Sequence, residues 1–261
     1  TPTAENTLRR RPSQLGHSVI TVCFSTSKFS LMFSLSIRSS RPVTSAASFG
    51  RLITDFDLTI SRGTKQPVSI AVDNKIVTRD VAKDEAETAL ILKYKQFADP
   101  IANRVIGTIT TDITRTANAA GESALGDVIA DAQFDATDDP GFGDAVAALM
   151  NPGGIRADLT YSQISGGEQP GEVTYGEIFA VQPFANSLVT MTLTGAQIDQ
   201  VLEQQFDNPA VGQSRILQVS TGFTYTWDAT AATGSKVSSI QIGGVPVDPE
   251  ASYRITVNSF L

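Results

Sequence analysis

The 261 residues are enough for one large or two modest domains, and 41% hydrophobic with 18% charged residues is the composition of a soluble globular protein. The net charge of −7 is uneven: residues 1–50 carry six Lys and Arg against Glu5, a balance of +5, which leaves −12 on 51–261. An acidic body argues against nucleic-acid binding through a basic face, the single Cys23 excludes an internal disulfide, and no apolar run of about 18 residues offers a membrane span.

Residues 1–46 are rich in Ser, Thr and Arg and do not read as a folded domain; they are expected to be poorly ordered. Two origins fit them. One is a signal-peptide-like segment with Arg9–Arg11 as its basic region and Ser45-Ala46-Ala47 as a small-residue cleavage zone. The other is a fragment or mistranslated stretch, since the chain opens on Thr1. From Phe49 the pattern changes. Arg51–Ile60 alternates polar and apolar residues, Gly63 lies in a turn and Pro67–Val72 forms a second strand, together a hairpin. Asp84-x-x-Glu87 resembles a capping box, and the helix behind it puts Ala86, Leu90, Tyr94 and Phe97 on one stripe until Asp99-Pro100 ends it. Arg104–Thr111 reads as a strand. Leu125, Val128, Ile129 and Ala132 then mark the core face of a helix, with Asp127 and Asp131 as solvated charges on its polar side.

Ala145–Met150 is apolar throughout, too short for a helix and bounded by Gly143 and Pro152, so it reads as a buried strand. It runs into Asn151-Pro152-Gly153-Gly154-Ile155-Arg156, where Pro and two glycines allow a sharp turn and close approach of another group. A guanidinium beside such a turn suits two oxygens of a phosphate or carboxylate, although on spacing alone a tight turn with a solvated Arg is the commoner outcome. Thr174-x-x-Glu177 and Thr194-x-x-Gln197 cap two further helices, the first ending at Pro183 and leaving Phe184 in the connection beyond. Leu188–Leu193, Ile216–Val219, Phe223–Trp227, Val237–Ile242 and Tyr253–Val257 complete the strands. Alternating strands and helices over 104–258 indicate an α/β (α+β) fold, a mixed β-sheet flanked by helices.

Four segments in order resemble the C-terminal domain of the 5′-nucleotidase family: Glu122-Ser123-Ala124-Leu125-Gly126-Asp127-Val128-Ile129-Ala130-Asp131-Ala132, Asn151 to Arg156, Val181-Gln182-Pro183-Phe184, and Tyr253 to Leu261. Residues 47–103 look like a remnant hairpin and linker helix of the family's metallophosphoesterase domain, and 104–261 like the substrate-binding domain. The resemblance implies a hydrolase that acts on nucleotides, secreted, periplasmic or at the cell surface, with two divalent metal ions such as zinc or manganese in its other domain. It implies Phe184 and Phe260 as rings that sandwich the base, Arg156 and Arg115 near the phosphate, and Asn151 at the base edge or sugar, with Gly153 and Gly154 forming the turn. A lone loop Phe is otherwise more often a core plug, and Phe260 otherwise reads as a frayed end.

Two departures accompany the match. The family continues past its second Phe into Gly-Gly-Asp-Gly, and this sequence stops at Leu261. The only histidine, His17, lies outside the matched region, too few for a two-metal ligand set. The expectation is a nucleotide-recognising domain whose ligand is a nucleotide or nucleoside, with no cofactor held by this chain. The alternative is a non-catalytic nucleotide-binding module or an inactive truncated product; a cyclic nucleotide or nucleotide sugar is a further substrate option.

Overall fold

The computed structural model describes residues 46–261. The expectations for residues 1–45, including the signal-like segment, His17 and Cys23, lie outside the described residues. Two compact units divide between Thr88 and Ala89. In the first, β1 (Leu52–Ile60) and β2 (Pro67–Ile76) form the expected antiparallel hairpin, its second strand longer than the sequence pattern suggested.

The helix α1 (Glu85–Ala102) starts as expected, with the Asp84 carboxylate accepting from the Glu87 N–H at 3.0 Å. It does not stop at Asp99-Pro100. Pro100 sits in the last turn, where its missing N–H costs one bond, and Asn103 N–H closes that turn onto Asp99 O at 2.8 Å. None of its residues is buried, so the Leu90–Tyr94–Phe97 stripe is exposed. β3 (Val105–Thr108) is shorter than the expected strand and pairs with β5 (Glu172–Thr174), too short to show in the sequence.

The centre of the second unit is a four-stranded mixed sheet in the order β6 (Leu188–Thr194), β11 (Ser252–Asn258), β4 (Ala147–Met150), β7 (Gln218–Val219). β11 and β4 are parallel, with Ile255 opposite Ala147 and Val257 opposite Leu149; β6 and β7 are antiparallel to them. All four β4 residues are buried, which is why its sequence is an unbroken apolar run. The helix α2 (Ala124–Asp135) covers one part of the sheet, and α4 (Gly195–Glu203), with a complete Thr194–Gln197 capping box, buries Ile198 and Leu202 elsewhere on it. A second sheet, β8 (Phe223–Trp227), β9 (Val237–Ile242) and β10 (Val245–Pro246), turns at Gly243-Gly244, both with positive φ. α3 (Tyr175–Val181) carries the other complete capping box and ends before Pro183 as expected.

The buried face of α2 is rotated from the one expected. Leu125, Gly126, Ile129, Ala130 and Gln133 are buried, while Val128 is exposed. The reason lies in Gly126, which lets the helix press onto the side chain of Gln218. The Gln218 Oε1 accepts from Ser123 N–H (2.6 Å) and Ser123 Oγ–H (3.0 Å), and its Nε2 donates to Gly121 O (3.1 Å) and Ile216 O (3.0 Å). A Cβ at residue 126 would run into that held side chain. Gly126→Ala should therefore destabilise the domain despite its better helix propensity, by about 1–3 kcal/mol. Urea unfolding checks this; an unchanged or raised midpoint would mean that Gln218 yields freely.

Candidate functional site

The register of the mixed sheet brings four segments to one edge. β4 and β11 both end there, handing over to 151–156 and 259–261. β6 begins opposite Asn258, so the preceding loop 182–187 joins them, and β7 begins opposite Met150. Loops at the carboxyl ends of parallel core strands are where α/β sheets present ligand-binding groups. The segments expected to carry function thus converge, although far apart in sequence.

At the end of β4 the chain makes a single 3₁₀ turn, Pro152–Gly154, with Gly154 N–H bonded to Asn151 O (3.1 Å) and Ile155 N–H to Pro152 O (3.2 Å). Gly154 is buried against the methyl of Met150, where a Cβ would collide, so this glycine answers to close approach within the fold. Gly153 has no such neighbour. The Arg156 N–H donates to Val181 O at 2.8 Å, tying the turn to the end of α3.

That tie places the Arg156 guanidinium over the Phe184 ring, 5.2 Å from its centroid. An exposed cation–π contact is worth about 0.5–1 kcal/mol, and here it holds both groups at one spot. Phe184 is 44% exposed and so is no core plug. Arg115 stands behind the turn: its Nη1 donates to Arg156 O at 2.7 Å and more weakly to Ile155 O at 3.4 Å, while its Nε lies 3.7 Å from Asp158 Oδ1. Arg115 supports the loop that carries Arg156.

The Phe260 ring is 77% exposed and makes no stacking or cation–π contact among the described residues. Its backbone is nevertheless fixed. Ser259 N–H donates to Ser187 O (2.8 Å) and Ser187 N–H to Ser259 Oγ (3.3 Å), joining the Phe260 and Phe184 loops. Phe260 N–H donates to the buried Asn258 Oδ1 at 3.0 Å. Asn258 Nδ2 donates in turn to Asn151 Oδ1 at 2.8 Å. Gln133, Gln182 and Asn258 all direct amide N–H groups at the buried Met150 sulfur, at 3.2, 3.7 and 3.3 Å. Asn258 and Gln182, which make these contacts, were not among the expected site residues; each is an amide two residues before an expected aromatic residue.

Among the described residues no group of three or more His, Cys, Asp or Glu side chains could hold a metal ion. A two-metal centre does not fit these residues. No helix among them is long and apolar enough to cross a membrane.

The acidic residues of α2 are not the solvated pair expected. Asp131 accepts from the backbone N–H (2.5 Å) and hydroxyl (2.9 Å) of Thr221, bracing the turn into β8. Asp127 keeps one oxygen shut from solvent with no hydrogen-bond partner. Burial first, then the charges of Glu122 and Asp131, push its pKa up from the ordinary 3.8 to about 6. In that window the folded state binds the proton more tightly than the unfolded chain, so this group's contribution falls as pH rises. Asp127→Asn should therefore raise the thermal midpoint above wild type at neutral pH and lose that advantage below the unfolded-state pKa of about 4. Calorimetry at both pH values tests this; the same difference at both would remove the buried carboxylate as its cause.

Residues 105–261 match the family model described as 5′-nucleotidase, C-terminal domain. The chain is 30% identical over 222 residues to endonuclease YhcR of Bacillus subtilis, covering 84% of this chain and 16% of that protein. It is 34% identical over 194 residues to cell wall protein Lmo0130 of Listeria monocytogenes, covering 70% of this chain and 24% of that one. Among solved structures, the 5′-nucleotidase precursor of Thermus thermophilus superposes with a TM-score of 0.58 at 29% identity, over 83% of this chain and 41% of that one. The chain thus spans less than half the length of each of these relatives.

Proposed function

We propose, because the chain belongs to the 5′-nucleotidase C-terminal domain family, that residues 104–261 recognise the nucleotide substrate of a 5′-nucleotidase-type phosphoester hydrolase, and bind the corresponding nucleoside as well. Residues 47–103 would be the end of the preceding phosphoesterase domain and its linker. The observation that carries this reading is the pairing of Arg156 with an exposed Phe184 at the end of a core strand, 5.2 Å from cation to ring. One group is suited to an anion, the other to a flat base.

Stacking on a single ring contributes roughly 1–3 kcal/mol and accepts different bases. Arg156 sits over the Phe184 ring, and the exposed part of that ring is the stacking surface. The free Phe260 ring, carried on the adjoining loop, supplies a second one. A guanidinium fork engages two phosphate oxygens at once. The domain would therefore contribute orientation and proximity to the reaction. Location outside the cytoplasm, in the periplasm, at the cell surface or secreted, is proposed with it; the relative named a cell wall protein supports this.

Titration of adenosine and AMP into wild type and two variants, followed by NMR shifts, tests the reading. Phe184→Ala should weaken both ligands by about tenfold, since the ring meets only the base. Arg156→Ala should weaken AMP more than adenosine. If Phe184→Ala binds as wild type does, the stacking role is wrong; if wild type binds neither ligand, the nucleotide reading itself fails.

A further inference from the structure

We propose that Asn258 is a positioning residue that sets the hydrogen-bonding polarity of Asn151, leaving Asn151 able only to donate to a ligand at this edge. The proposal rests on the nucleotide reading for its ligand and specifies what that ligand must offer: a ring nitrogen or carbonyl acceptor on the base.

The argument is one of donors and acceptors. Asn258 is buried at the end of β11, so its carboxamide must find partners within the fold. On one side stands a donor, the Phe260 N–H, which Oδ1 accepts at 3.0 Å. On the other stand two groups that only accept from it, Asn151 Oδ1 at 2.8 Å and Met150 Sδ at 3.3 Å, both served by Nδ2. Turning the amide over would set N–H against N–H and oxygen against oxygen and sulfur. Its orientation is therefore determined by the Phe260 N–H and the Met150 sulfur, the two neighbours whose own polarity cannot turn over.

The orientation propagates. Asn151 must turn its oxygen inward to meet Asn258, which leaves its Nδ2 beside the turn glycines, 3.8 Å from where a Cβ would stand on Gly153 and 3.5 Å from one on Gly154. Among the described residues this Nδ2 has no protein acceptor, and Asn151 is only partly buried. An amide that could in principle present either end is thereby fixed with its donor end free. One buried residue couples the polarity of this recognition group to the backbone position of Phe260.

The test uses the full chain and the side-chain amide resonances of both asparagines. In wild type the Asn258 NH₂ protons should be protected from solvent exchange and those of Asn151 should exchange readily. Asn258→Asp turns the inner partner into an acceptor, so the Asn151 NH₂ should turn inward and become protected. If Asn151 NH₂ is already protected in wild type, the proposal is overturned, whether or not a nucleoside binds.

The ligand side is read with adenosine and its 1-, 3- and 7-deaza analogues, each lacking one ring acceptor. One analogue should bind wild type roughly three- to tenfold more weakly than adenosine, the effect of one hydrogen bond. Asn151→Asp keeps the oxygen that Asn258 needs and removes the outward donor, so it serves even if Asn258→Asp fails to fold. This variant should lose the preference for adenosine, binding that analogue as well as adenosine or better. Equal binding of all four ligands by wild type, or full discrimination retained by Asn151→Asp, would overturn the proposal. Absence of any nucleoside binding would instead refute the nucleotide reading and leave the exchange result to decide the polarity claim.

Discussion

The parallel pairing of β4 with β11 is the constraint on which the rest of the domain depends. Two short strands from far apart in the chain run side by side, so their ends fall at the same level, and whatever follows each is delivered to one place. The cost is the closure of a long loop, met by burying Ala147, Leu149, Ile255 and Val257 with Ile198 and Leu202 in a continuous core. Antiparallel β6 and β7 then bring their own beginnings to that edge without further topology. Without this pairing Arg156, Phe184 and Phe260 would belong to three unrelated loops.

Around that edge the fold assigns its polar groups economically. Arg115 is turned onto loop carbonyls, three amides converge on one thioether, and two serines stitch the aromatic loops. The side chains left outward, the Arg156 guanidinium on the Phe184 ring and the exposed Phe260, therefore stand on supports that are already satisfied. A loop held in this way has less freedom to lose when a ligand arrives.

Much of this was legible in the residues. The apolar run before Asn151, the Thr174 and Thr194 capping boxes and the glycine turns are local signals, and each reports a backbone conformation that tertiary contacts do not override. What escaped was set by distant partners. Periodicity alone placed Val128 on the core face, but the fit of Gly126 against Gln218 rotates the helix away from it. Asp127 looked like any charge on a polar face until neighbouring acids and burial were brought to it. Asn258 could not be known as the buried link between Asn151 and Phe260, because that link exists only when β11 lies beside β4. The α1 stripe shows the reverse failure, a regular helical pattern without a covering partner among the described residues.

The order of the mixed sheet carries a further consequence. β6 is one of its two outer strands, and its sequence, LVTMTLT, contains no charge and no proline. Natural sheets usually blunt such a border with Lys, Pro or a bulge. Here the protection is borrowed: Arg254 on the neighbouring strand reaches across to Thr192 Oγ1 at 3.4 Å, lending its charge to a strand that has none. Leu188, Val189 and Met191 remain exposed along that border. Seven residues of high strand propensity on a strand with no further strand partner among the described residues are the kind of border that can template a foreign strand.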